Sequence, residues 1–393
     1  MPPKFQTDPL PATLRRAIWL LGFCQCVLWG VLYYSFSVLL VPMESSLGLS
    51  RTAVAGAFSS GLGAMAIAAP IIGRWLDAGH AQRLTRAGTG LALIGLLLVA
   101  AAQGPVTLYL GWFCVGIAMA MLLYEPAFAL VIRAVAIEGD RLRALAAVTV
   151  LGGLASTIFL PLVTVLVEHW SWRAAVLACA VAVLLAAWIM EKHVVPALPP
   201  AGVITPNAKA RRDPWPPHLA TLIAIFASGT LASMALTTLL IPLLIDRGAS
   251  PSVAALVLAT LGLAQLPGRI WVLRGRRQVP SGAIHVLPIV LQAMGLLGVV
   301  VASSPVQVAI SVAVFGLGAG LQTLARPWLV QTLYGIAEAG RWNGEVARMQ
   351  GLARAAGPVG VAGAAWFVGI PWVLGSVGGL LALTLPLARR LPR

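Results

Sequence analysis

Four ionisable residues stand far inside long apolar stretches of this 393-residue chain: Glu125, Arg269, Arg326 and Arg354. Within lipid each such group costs roughly 2.5 to 3.5 kcal/mol on insertion scales, so each needs a partner, a water-filled cavity or an escape to the interface. Glu125 and Arg326 lie eight residues from the cytoplasmic ends of their expected spans, and Arg354 lies eight from Val346, which is roughly 12 Å at 1.5 Å per residue. Arg269 is only four residues from its span's end, close enough for its guanidinium to snorkel to the interface. The arginines share a pattern, because Gln265, Gln322 and Gln350 precede Arg269, Arg326 and Arg354 by four residues each, placing amide and guanidinium on one helix face. Such faces in three spans could line one cavity, or the glutamines could simply glue helices together. Three arginines against one acid leave positive charge to be matched, and a guanidinium holds a carboxylate through two parallel hydrogen bonds. A small organic anion is therefore the expected partner. Glu125 is read either as a proton acceptor or as the partner of Arg326 across a pseudo-symmetry axis. Trp29 and Tyr33 share one face of the first span, and Tyr34 is expected to point elsewhere.

The elements that must position these residues are membrane helices. Hydrophobic residues make up 59% of the chain and charged residues 10%, and the mean hydropathy is +0.91, which leaves too little polar surface to cover a soluble globule. The apolar pattern predicts an all-α integral membrane protein with twelve spans in two six-helix pseudo-repeats: residues 1–190, a cytoplasmic linker over 191–217, and residues 218–393. Seven prolines among the 27 linker residues, together with Lys192, Lys209, Arg211 and Arg212, exclude that stretch from both helix and lipid. Lys and Arg fall unevenly on alternate connections, 21 on the linker side against three (Arg51, Arg173 and Arg247) on the other. Both termini are thus expected in the cytoplasm. Glu125-Pro126 and Arg326-Pro327 lie 201 residues apart, and Arg141 and Arg341 lie 200 apart, as a six-plus-six repeat with a central site would require.

Other function classes find little here. The net charge of +15 sits at helix ends and not in basic tracts interleaved with aromatics, so nucleic acid is not an expected partner. No phosphate-cradling G-x-x-x-x-G-K-[ST] loop, nucleophile elbow, zinc spacing or carboxylate pair is present, so neither an enzyme nor a cofactor is expected. The four cysteines all fall in apolar bands, which favours free thiols. Abundant Ala, Gly and Arg with only three lysines suggest a bacterial cytoplasmic membrane, and the chain is expected to act as a monomer.

The stretch from Tyr34 to Gly79 resembles the first two spans of major facilitator superfamily transporters, particularly the monocarboxylate transporter and oxalate/formate antiporter branches. It shares with them an aromatic-rich first span, a Ser-Arg-Thr start to the second and a Gly-x-x-x-Asp loop at Gly73 to Asp77. Ser171-Trp172-Arg173 is similar to their Gly-Trp-Arg at the start of the sixth span. The resemblance implies alternating access between two halves, a pocket shaped by first-span aromatics such as Trp29 and Tyr33, and a carboxylate bound by the matching Arg269 and Arg354. It further implies a gating loop in which Gly73 and Asp77 act with Arg83 and Arg133. That loop departs from the superfamily's Gly-x-Leu-x-Asp-Arg-x-Gly-Arg-Arg, with Trp75 for Leu, Ala78 for Arg, and His80, Ala81 and Gln82 later. Gln265 stands where monocarboxylate transporters carry an acid, which leaves Glu125 as the candidate for a coupling proton. The Gly-Pro cluster at Gly357-Pro358 lies in span eleven, not in span five as in proton-coupled drug exporters, which weighs against efflux of hydrophobic or cationic compounds.

Overall fold

The computed structural model describes residues 10–135, 137–198, 215–274 and 281–392, and every regular element among them is helical. Lys4, Lys209, Arg211, Arg212, Arg276, Arg277 and Arg393 of the charge tally lie outside the described residues. By length and composition eleven of the helical stretches can cross a membrane. The longest, Pro305–Val368, has 64 residues, which as one rod would run roughly 96 Å, three times a bilayer core. It turns back at Gly335, whose φ of 74° and ψ of 170° suit only a residue without Cβ. The Arg326 guanidinium then reaches Gln350 across the turn, which makes this stretch two antiparallel helices and brings the number of spans to twelve.

The spans are α1 (Ala12–Leu47), α2 (Thr52–Asp77), α3 (Ala81–Ala100), α4 (Pro105–Ala134), α5 (Asp140–His169), α6 (Trp172–Val194), α7 (Leu219–Asp246), α8 (Pro251–Arg274), α9 (Ile284–Val301), α10 (305–334), α11 (336–368) and α12 (Ile370–Arg389). They alternate between a linker face, where α6 ends and α7 begins, and an opposite face. The expected start of span eleven at Val346 is corrected by ten residues, since Gly335 makes the turn alone and helix follows at once. Its charged residues extend the helix beyond lipid: Arg348 pairs with Glu345 at 2.9 Å and Arg341 lies over the Trp342 ring. Arg354 consequently sits near the middle of α11.

The repeat is written into the structure at an offset of 200 residues. Gly48 and Gly248, both with positive φ, close the turns after α1 and α7, and Ser50 and Ser250 cap the next helices through bonds to Ala53 N and Val253 N. Gly95 packs on the Gly111 backbone between α3 and α4, and Gly295 packs on Ser311 between α9 and α10. Gly116 meets the Gly61 backbone on α2, and Gly316 meets Leu261 and Ala264 on α8. In each case a Cβ would collide with the neighbouring helix, so small residues set the spacing.

Large apolar side chains cover the outer surface, as on α6 with Leu177, Val181, Leu184, Leu185 and Trp188, which suits contact with lipid. Two of the three basic residues on the opposite face are accounted for locally. Arg173 donates to the Ala102 carbonyl after α3, and Arg247 donates to the carbonyls of Val299 and Val300 in the last turn of α9 and of Ala302 just beyond it. Both guanidiniums therefore satisfy helix C-termini, where cations are favoured.

Candidate functional site

Local breaks in the helices position the site. Pro126 has no N–H, so the Leu122 carbonyl four residues earlier loses its helical donor, and α4 bends at Leu123. Fully buried Gln25 on α1 supplies the missing donor, with Nε2 at 2.8 Å from that carbonyl. The bend directs Tyr124 and Glu125 towards the partner half. In α1, residues Gly30–Tyr34 form a π-helical turn, which adds a residue to the turn and shifts the phase of the helix beyond it. Tyr34 therefore does not point away from its neighbours, as a regular helix would require. It lies 5.1 Å from Tyr33 and 6.3 Å from Trp29 by ring centroid, and Trp29 lies 5.2 Å from Tyr33 and 5.0 Å from Tyr124. The four rings form one aromatic wall on the N-terminal half.

The C-terminal half answers with arginines in three different situations. Arg326 on α10 donates from Nη2 to Glu125 Oε1 and from Nη1 to Gln350 Oε1 at 2.6 Å. The other Glu125 oxygen accepts from Asn343 Nδ2 on α11 at 2.6 Å. Both side chains of the ion pair are only 12–13% exposed, so each charge depends on the other for solvation. Arg269 on α8 is 4% exposed and does not snorkel. It donates to Gln265 Oε1 at 3.0 Å and to the Thr149 carbonyl of α5 at 2.9 Å, with longer bonds of 3.5 Å to the Gly320 carbonyl and Thr323 Oγ1. The bond to Thr149 spans the two halves, and Gly153 makes room for it because a Cβ there would meet Arg269 Nη1. Half-buried Arg354 on α11 has no hydrogen-bond or ion-pair partner among the described residues.

The glutamine pattern is realised only once, in Gln265 with Arg269. Gln322 turns from Arg326 to Gln292 and to the Ile225 carbonyl, where Gly229 leaves space for its amide. Gln350 serves Arg326, the Phe226 carbonyl and Thr230 in place of Arg354. A spacing of four fixes which side chains share a face, but neighbouring helices decide which acceptor each one takes. Asn343 and Thr149 are not signalled by the sequence. An asparagine in a charged stretch carries no signal, and a backbone carbonyl carries none in any sequence.

The sequence profile of the Major Facilitator Superfamily matches residues 18–358. The chain belongs to this superfamily. No curated protein sequence matches it. Among solved structures it is similar to the human organic anion transporter MFSD10 (TETRAN), with 15% identity, a TM-score of 0.74 and coverage of 97% of this chain and 100% of that one. It is also similar to the E. coli fucose:proton symporter FucP, with 15% identity, a TM-score of 0.75 and 98% and 100% coverage. For the proton:xylose symporter XylE the values are 13%, 0.71, 97% and 96%. At these identities the likeness is one of fold. Membership makes the chain a membrane transport protein and not an enzyme.

In this superfamily member the loop after α2 engages both halves. Asp77 pairs with Arg133 of α4 at 2.9 Å, and its oxygens accept from the backbone N–H groups of Gly340 at 2.9 Å and Arg341 at 2.6 Å on α11. Arg133 also donates to the Leu76 carbonyl. Gly73 sits directly against the Gly340 carbonyl, so Gly73 and Asp77 together hold α11 to α2 at the linker face. Gly344 and Gly351 continue that contact against Ala69 and Ala66. Arg83 is exposed and takes no part in these bonds.

Proposed function

We propose that this chain is a secondary active transporter that moves a small organic anion, a carboxylate, by alternating access between its two halves. One observation carries the reading: Arg354 is a half-buried guanidinium in the middle of a membrane helix with no hydrogen-bond or ion-pair partner among the described residues. An unpaired charge at such a depth is costly, and a bound carboxylate would supply the counter-charge through two parallel bonds. Arg269 adds a second guanidinium whose hydrogen-bond acceptors are all neutral. One chain supplies both walls, so the reading needs no second copy. The excess of Lys and Arg on the linker side favours a cytoplasmic linker and cytoplasmic termini in a bacterial inner membrane, which reporter fusions within the linker would test.

Glu125 suits a structural pair better than a cation contact, because both its oxygens are already engaged. The competing reading, proton-driven efflux of hydrophobic or cationic compounds, therefore has less support. The test is carboxylate binding and flux by the purified protein in vesicles. Arg354→Lys should fold and bind more weakly, since lysine offers a point charge in place of a fork. Arg354→Gln should lose roughly ten- to a hundredfold in affinity. Unchanged affinity in Arg354→Gln would overturn the anion reading.

A further inference from the structure

A cavity of about 440 Å³ opens at the linker face, and every residue lining it belongs to the N-terminal half. It is therefore distinct from the site described above, whose arginines stand on α8, α10 and α11. Leu76, Ala129, Leu130, Val195 and Leu198 are buried residues that make its walls apolar, and exposed Gln82 from the first turn of α3 stands at its edge. A space of this size suits a small organic ligand. The one charged side chain that lines it is Arg133, which is 9% exposed. A guanidinium has five N–H groups. Arg133 spends two of them, on the Leu76 carbonyl and on Asp77 Oδ1, and the other three have no partner among the described residues. Asp77 closes no two-bond clasp on it, because Oδ1 also accepts from the Gly340 N–H and Oδ2 accepts from that of Arg341. Arg133 thus keeps donors for a second acid, in apolar surroundings that strengthen a charge-assisted bond. Exposed Arg83, next to Gln82 in the chain, adds positive potential that draws anions to this face.

We propose that this cavity is a second binding site, for a monocarboxylate with a compact apolar chain, whose acid group sits on the free N–H groups of Arg133 and whose chain lies against Leu130 and Leu198. An acid with no chain would leave the apolar walls uncovered, and an alcohol would leave the guanidinium without an anion. Because the same guanidinium holds Asp77, the occupant sits directly behind the contact that joins α2 to α11.

Hexanoate is the probe, read by thermal shift on the full-length purified protein carrying Arg354→Gln, so that the binding proposed for Arg354 is removed. It should stabilise this variant at roughly tenfold lower concentration than acetate or hexanol. Ala129→Phe, which fills the cavity, and Arg133→Gln, which removes its charge, should each abolish the response. A second measurement needs none of these variants. Gln82→Cys in the otherwise unaltered protein should react with a water-soluble maleimide more slowly in hexanoate than in acetate, above the background of the native cysteines. A response of Arg354→Gln that survives both Ala129→Phe and Arg133→Gln, or a labelling rate that hexanoate leaves unchanged, would overturn the proposal. A response of the unaltered protein that vanishes in Arg354→Gln would also overturn it, while supporting the anion reading of Arg354.

Discussion

Residues that build the scaffold recur between the halves at an offset of 200, as with Pro42 and Pro242, Gly48 and Gly248, Ser50 and Ser250, Gly116 and Gly316, and Trp172 and Trp372. At the same offset the site residues have nothing in common. Trp29, Tyr33 and Tyr34 correspond to Gly229, Ser233 and Met234, whereas Arg269 and Arg354 correspond to Ala69 and Leu154. One half therefore became an aromatic surface and the other a cationic one on a shared helical frame. The lesson is that turns, caps and helix spacing tolerate little divergence because backbones touch there, while side chains facing the space between the halves are free to specialise.

The comparison breaks most visibly where the halves are joined by charge. Glu125→Gln leaves Arg326 without its counter-ion and should destabilise the protein by roughly 3 to 5 kcal/mol, read from the unfolding midpoint in detergent. Combining it with Arg326→Gln should recover part of that loss, because no uncompensated charge remains. If the double variant were worse than the single one, the pair would not be acting as a unit.

A smaller effect is expected at the second junction. Gly153→Ala should push the Arg269 guanidinium off the Thr149 carbonyl without removing any charge, at a cost of roughly 1.5 to 3 kcal/mol for the charge-assisted bond. Melting temperature and ligand affinity measured together would detect this. A silent variant would mean that the cross-half bond contributes nothing.

The remaining two predictions concern the shared frame and require the halves to respond alike. Gly116→Leu and Gly316→Leu should each cost roughly 1 to 3 kcal/mol by overpacking a helix contact, and a large asymmetry would refute the structural equivalence. Ser50→Ala and Ser250→Ala should each cost about 1 kcal/mol, the usual loss for an N-cap, as seen in parallel denaturation curves.

Composition and hydropathy determine much of this protein, since a chain with so few charges can hide its backbone only as helices in lipid. The span count and the identity of Glu125, Arg269, Arg326 and Arg354 as residues needing partners are local properties of the chain, and they are legible in it, whereas α6 runs on to Val194, past the expected end of the first half at residue 190. What the chain order does not contain is the choice of partner. Gln350 and Gln322 are four residues from arginines they do not serve, because α10 and α7 offer other groups closer to hand. Tyr34 joins the aromatic wall only because of the π-helical turn at Gly30–Tyr34, which no 3.6-residue period anticipates. Arg269 is held by a carbonyl 120 residues away in sequence, and Arg354 has no hydrogen-bond or ion-pair partner among the described residues, because long-range packing alone sets which polar groups meet in a medium that offers them no water.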